Sequence, residues 1–246
     1  MNRQLQRLGG EISPGAETRR EYFRLPQDLA ELARGFRVEL PQEHCRDAAV
    51  LVFSIECVDR VLDSLPETGE RRQFSMAVIA LLKGGTVSND AILSLEIQQW
   101  LARLREIIQR RKITLEFCRV TRALLANCEE MRHTRNATSY VDGAAREGRL
   151  MVELLLLILG DVATPKFTEF MREVGEPANL GDKLRDARRD FSAGELAINP
   201  GLKFHARLAY EMFRRVLPVA FRFSGRGRVL VWGLKSLFVE LALVRP

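Results

Sequence analysis

Apolar residues recur along this chain at spacings of three and four, the period of an amphipathic helix, and no alternating β-pattern of useful length occurs. Leu29, Leu32 and Ala33 form one side of a first helix, from Leu25-Pro26 through Arg34, with Gly35 after it. Leu40-Pro41 starts a second, with proline where a missing N–H does no harm, and it runs to about Leu65-Pro66. Its stripe is Leu51, Ile55, Val58 and Leu62. A third helix covers Arg72 to Lys83 and stops at Gly84-Gly85. Ser88-Asn89-Asp90 caps a fourth, from Ala91 to about Arg111, whose seam includes Leu93, Ile97, Leu101, Leu104 and Ile108. A fifth extends from Thr114 to about Arg132 through Phe117, Val120 and Leu124-Leu125. Thr138-Ser139-Tyr140 opens a long helix that ends at Gly160. Its apolar run, Leu150 to Leu159, is too short to span a bilayer and carries Glu153, so it reads as a core helix. The next helix starts at Lys166 and meets Gly175-Glu176-Pro177, where proline must kink or restart it. It fades at Ser192 to Gly194. After Asn199-Pro200-Gly201 come His205–Phe221 and Arg228–Val244, the latter with Leu230, Leu234, Phe238 and Leu241 on one face. The pattern predicts one all-α domain over residues 22–246, a helical bundle, behind a polar tail at 1–21 that lacks a signal-type apolar region.

Charge changes this picture at one end. The formal net charge is +6, yet nine Lys/Arg against Glu211 and Glu240 place +7 between Leu202 and Pro246, leaving the rest near −1. A basic end suits an anionic substrate or a membrane surface. Nucleic acid is not indicated: there is no zinc-finger or RNP motif, and the basic residues are not interleaved with aromatics. Cys45, Cys57, Cys118 and Cys128 have no CxxC spacing and read as buried free thiols in a reducing, cytoplasmic compartment. Asn136-Ala137-Thr138 matches a glycosylation acceptor and, without a signal peptide, reads as chance. His44, His133 and His205 are scattered without metal-ligand spacing and read as solvated or hydrogen-bonded. Trp100 and Trp232 read as core anchors.

The chemistry concentrates in two short acidic stretches, Asp59-Arg-Val-Leu-Asp63 and Asp186-Ala-Arg-Arg-Asp190. Carboxylates four residues apart lie one turn above the other on a helix, and Glu56 and Asp182 extend the two rows. Such like-charged pairs weaken an isolated helix by ~0.2–0.5 kcal/mol each. Two rows kept on helices therefore suggest a cation to hold, and all-oxygen ligands favour Mg²⁺ or Ca²⁺. Magnesium is commonly shared between one or two carboxylates and a substrate phosphate. The expectation is a diphosphate held between two acidic helices; for either stretch alone, a solvated helix face is the plainer reading.

The segment Gly175-Glu-Pro-Ala-Asn179-Leu-Gly-Asp182-Lys-Leu-Arg185-Asp186-Ala-Arg-Arg-Asp190-Phe191 resembles the second aspartate-rich motif of squalene and phytoene synthases. Asp59-x-x-x-Asp63 resembles the first, at a similar distance upstream and after a Leu40-Pro41 like the family's own. Tyr140-x-x-Gly143-x-Ala145 resembles the family's tyrosine-rich turn, and Arg214-Arg215-Val-Leu-Pro218 a late segment. The resemblance spans about Leu25 to Val244 and implies the all-α class I isoprenoid (terpenoid) synthase fold. It implies a Mg²⁺-dependent prenyltransferase that joins prenyl diphosphates, farnesyl or geranylgeranyl, by ionising the diphosphate and capturing the allylic cation. Asp59, Asp63, Asp186 and Asp190 would then be the metal-binding acids, Arg185 a diphosphate contact, and Tyr140 a site-lining residue. Asn179 and Asp182 stand where the family carries its glutamine and asparagine. A lipid product would bring peripheral membrane contact with it.

The chain also departs from that pattern. Glu56 replaces an arginine expected three residues before the first aspartate, and Asp142 replaces a tyrosine of the turn. Leu29-Ala-Glu-Leu-Ala33 replaces a diphosphate-binding segment. These changes motivate an alternative from another class: a catalytically degenerate relative that keeps the fold as a binding or assembly factor.

Overall fold

The computed structural model describes residues 25–86 and 94–223, and these residues are helical with no β-strand. In chain order the helices are α1 (Leu25–Gly35), α2 (Gln42–Ser64), α3 (Thr68–Leu82), α4 (Leu95–Arg110), α5 (Thr114–His133), α6 (Ala137–Leu159), α7 (Pro165–Ser192) and α8 (Leu202–Arg222). A short 3-10 turn, Gly160–Val162, links α6 to α7. The expected tail at 1–21, the Ser88-Asn89-Asp90 cap and the helix at Arg228–Val244 lie outside the described residues. The chain divides into two compact units, Met1–Glu31 with Leu40–Thr114, and Leu32–Glu39 with Leu115–Pro246. Among the described residues no helix is long and apolar enough to cross a membrane.

In the first unit, α2 packs on α4 and α4 on α3. The buried positions of α2 include Cys45, Ala48, Leu51, Phe53, Ser54, Cys57 and Leu62. Ile55 and Val58, expected in the stripe, are only half-buried. The inward face is rotated because the small Ser54 and Cys57 admit close packing: Ser54 Oγ reaches the Trp100 carbonyl at 3.3 Å while Phe53 stacks on the Trp100 ring at 5.2 Å. Trp100 is the buried anchor that its sequence position suggests. Ser94 caps α4, accepting from the Ile97 N–H at 3.4 Å. Buried Arg71 donates to the Leu65 and Pro66 carbonyls at 2.7 and 3.0 Å, which satisfies the chain as it leaves α2.

In the second unit, α6, α7 and α8 pack in sequence around a core of Met131, Tyr140, Ala144, Leu180, Leu184, Leu208 and Met212, among others. Asn136 caps α6, its side chain accepting from the Thr138 and Ser139 N–H groups at 2.8 and 3.2 Å. The residue that matches a glycosylation acceptor thus has a local structural task. Gly160, at φ +54, ends α6 in a backbone conformation that side chains disfavour. Phe36 sits against Phe170, Phe167 and Phe223 with ring centroids 4.8 to 5.7 Å apart. Three of the four cysteines are buried and all four are free thiols.

Helix α7 departs from expectation, because it continues through Pro177 from Pro165 to Ser192 without a restart. Proline removes one i→i−4 hydrogen bond, and close packing on α6 compensates. A Cβ at Gly148 would stand 2.2 Å from the Gly175 carbonyl oxygen and 2.7 Å from Asn179 Cβ, and one at Gly175 would meet Val152 at 2.6 Å. Two glycines facing each other let the helix backbones touch. Gly148→Ala should therefore destabilise the protein by ~1–3 kcal/mol in urea unfolding. Gly69→Ala, in the first turn of α3 with nothing within 4 Å, should leave stability unchanged or raise it by up to ~1 kcal/mol.

Candidate functional site

The α6–α7 crossing places a polar cluster along one side of α7. Asn179 lies one turn beyond Gly175, and its amide donates to the Ala144 carbonyl at 2.8 Å and to Glu147 Oε2 at 3.1 Å. Lys183, one turn on, reaches the same Glu147 oxygen at 3.1 Å. Asp182, Asp186 and Asp190 follow down the helix; Asp182 is half-buried and the other two are buried. Arg185 Nε donates to Asp186 Oδ1 at 3.3 Å, and its other end donates to Asp182. Arg189 Nη2 donates to both Asp186 Oδ2 and Asp190 Oδ1 at 3.0 Å. The two buried carboxylates therefore share one guanidinium.

Tyr140, on the first full turn of α6, is buried with its ring 5.5 Å from that of Phe204. Burial pushes its hydroxyl up to about 12, eased by Lys183 and reinforced by Asp190, Glu147 and Asp182. Tyr140 is thus a protonated donor at neutral pH, within electrostatic range of the acidic row. Burial likewise holds the Asp190 carboxyl above the ordinary carboxylate range, while Lys183 and Arg189 pull it down and Asp186 pushes it up.

Six of the eight site residues expected from the sequence therefore lie in the second unit: Tyr140, Asn179, Asp182, Arg185, Asp186 and Asp190. Asn179 is used at least in part to tie α7 to α6. Lys183, Arg189 and Glu147 complete the cluster and were not singled out from the sequence. Lys183 and Arg189 had occupied the spacer positions of the motif, and Glu147 lies on another helix. The other two expected residues belong to α2 in the first unit, where Asp59 is exposed and Asp63 half-buried. Glu56 lies 3.7 Å from Arg60, one turn along the same helix.

The first unit holds a second buried acid that the sequence did not single out. Asp47, 5% exposed, accepts from Arg110 Nη2 at 2.8 and 2.9 Å and from Arg111 Nε at 3.1 Å. Arg111 Nη1 lies 3.0 Å from His44 Nε2. An arginine only donates, so Nε2 accepts and the proton resides on Nδ1, which is buried without a partner. Burial, then Arg111, hold the imidazole below its ordinary value. This network clamps the start of α2 to the end of α4, and its chemistry is that of a brace. His133 and His205 are hydrogen-bonded to Glu129 and the Gly201 carbonyl at 2.9 and 3.1 Å, as their scatter in the sequence suggests.

Among the described residues no three His, Cys, Asp or Glu side chains converge as a metal-ligating group. The second row offers two carboxylates, an all-oxygen set suited to a hard divalent cation that keeps waters and binds a substrate phosphate. The bridging position between them is taken by Arg189, whose side chain is 55% exposed. A cation between the two acids would have to displace Arg189. The class defined by fold and cluster is an all-α protein with a buried acid–arginine row. The chain matches no protein-family model, no curated protein and no solved structure.

Two outcomes follow from these networks. Arg189→Ala leaves Asp186 and Asp190 short of a shared cation and should lower stability at neutral pH by ~1–2 kcal/mol, less than the 3–5 for a fully buried pair because Arg189 is half in solvent. A raised folded value means that Asp190 contributes stability at acid pH and loses it as pH rises through that value. Removing Arg189 raises the value further, so the deficit should be smallest in acid and widen as Asp190 ionises, read by urea unfolding between about pH 4 and 8. Asp47→Asn, measured the same way at neutral pH, should destabilise by ~2–3 kcal/mol, because the largely buried Arg111 then loses its counter-charge while the half-exposed Arg110 keeps Glu43 at 3.1 Å.

Proposed function

We propose that the protein handles prenyl diphosphates with Mg²⁺, as a prenyltransferase in a helical domain of the class I isoprenoid synthase type resembling squalene and phytoene synthases. The observation that carries this reading is the buried Asp186/Asp190 pair, one turn apart and sharing a cationic group. Burying two carboxylates on one face is unfavourable unless a positive charge joins them. A divalent cation supplies, when bound, Lewis-acid withdrawal of charge from a diphosphate leaving group.

The chain's own residues would do the rest. Asp186 and Asp190 would hold the cation if Arg189 turned outward, and Arg185 and Lys183 would offer positive charge to diphosphate oxygens. Tyr140, kept protonated by burial, donates its hydroxyl without competing as an anion. An apolar surround would be needed to keep water from the allylic cation until the second prenyl chain captures it. Asp59 and Asp63 enter through the resemblance alone.

A second reading is favoured by Arg189 itself. A guanidinium already bridging both acids completes the charge balance without metal, as suits a degenerate relative that serves as a binding or assembly factor. Thermal unfolding with Mg²⁺ and inorganic diphosphate separates the two. The enzyme reading expects a rise in Tm only when both are present, worth ~2.7 kcal/mol at 100 times Kd, and no rise for Asp186→Asn. It also expects Mg²⁺-dependent diphosphate release from farnesyl or geranylgeranyl diphosphate. A wild-type protein that shows neither shift nor release contradicts it and leaves the binding factor.

A further inference from the structure

Among the described residues, His44 Nδ1 is the buried side-chain nitrogen left without a hydrogen-bond partner. A buried N–H with no acceptor is unfavourable, so the other side of the ring must fix this tautomer. Arg111 does so, with Nη1 3.0 Å from His44 Nε2. A guanidinium cannot accept a hydrogen bond and does not give up its charge. Arg111 is itself held in place: its Nε donates to Asp47 Oδ2 at 3.1 Å, and its side chain is only 16% exposed.

A second proton on this ring has no good position. On Nε2 it would set two N–H donors of like charge against each other across 3.0 Å. Asp47 does not relieve the clash, because both its oxygens already accept from arginines. Glu43 lies on Arg110 at 3.1 Å. Burial comes first among the influences that oppose the proton, followed by Arg111 and Arg110 from α4. Asp47 and Glu43 from α2 favour it, and α3 adds no charge that acts as strongly as these four.

We propose that His44 is an acid-sensitive catch on the clamp between the start of α2 and the end of α4. Neutral, it accepts from Arg111 and keeps the clamp closed; protonated, it must leave that seat, and the two helix ends loosen. The ring is only half-buried, so the imidazolium gains water by turning out. The clamp is fixed at neutral pH and conditional in acid. An unfolded or opened chain takes the proton near pH 6.5, and the closed clamp takes it only lower. The catch therefore contributes stability above about pH 6.5 and loses it as pH falls below. Between the two values the opening equilibrium rises about tenfold per pH unit, since one proton is taken up.

Hydrogen exchange on the full chain at about pH 7.5 and about pH 5.5, corrected for intrinsic rates, tests the catch. Protection at the start of α2 and the end of α4 should fall in acid by up to about tenfold, and that of α6 and α7 should hold. His44→Gln offers Arg111 an amide oxygen that does not titrate, so its protection at those helix ends should be the same at both pH values. Nitrogen-15 resonance of the His44 ring in the unaltered protein gives a reading that needs no variant. It should show the proton on Nδ1 at neutral pH and a midpoint below about 6.5. A proton on Nε2 at neutral pH, or a midpoint at or above that value, would overturn the proposal. So would unchanged protection in acid, an equal loss across α6 and α7, or the same acid loss in His44→Gln.

Discussion

The backbone contact between Gly148 and Gly175 is the constraint on which the second unit depends. Because neither residue has a Cβ, α6 and α7 touch closely enough for the Asn179 amide to reach the Ala144 carbonyl. That bond fixes the rotation of α7 about its axis. Rotation decides everything downstream: it turns Leu180, Leu184 and Ala187 into the core and leaves Asp186 and Asp190 buried at its edge. The same contact lets α7 run through Pro177, since one lost hydrogen bond is small beside an interhelix face of this closeness.

Burying the acids creates the electrostatic problem that the arginines answer. Arg185 and Arg189 follow directly before Asp186 and Asp190 in the chain, so the helix carries its own counter-charges. Arg189 is the decisive one, since it bridges both carboxylates from a half-exposed position. Held there, it makes the row a closed ion network; displaced, it frees two stacked carboxylates for a cation. The Asp47 network shows the contrast. There Arg111 is largely buried, the partners come from two helices, and the arrangement has the character of a fixed clamp.

Much of the fold was legible because helix periodicity and stop signals are local. The Gly160 stop of α6 and the seams of α4 and α5 follow from spacing alone. Where the reading failed, the deciding partner lay elsewhere in the chain. The inward face of α2 turned towards Ser54 and Cys57, which look polar or small in isolation but meet Trp100. Pro177 reads as a break unless Gly148 is known to face Gly175. In the candidate site, four-residue spacing did put Asp186 and Asp190 together. It could not assign them Arg189 as a shared partner, bring Glu147 to Lys183, or pair Asp47 with arginines more than sixty residues away.

The most direct test of the acidic row is electron paramagnetic resonance with Mn²⁺, which favours the same oxygen ligands as magnesium. If Asp186 and Asp190 hold a cation with diphosphate, wild-type protein should lower the free Mn²⁺ signal beyond the level set by inorganic diphosphate alone. The variant carrying both Asp186→Asn and Asp190→Asn should not. A wild-type signal that stays at the diphosphate-only level would contradict a metal role for the row and leave it as a structural ion network.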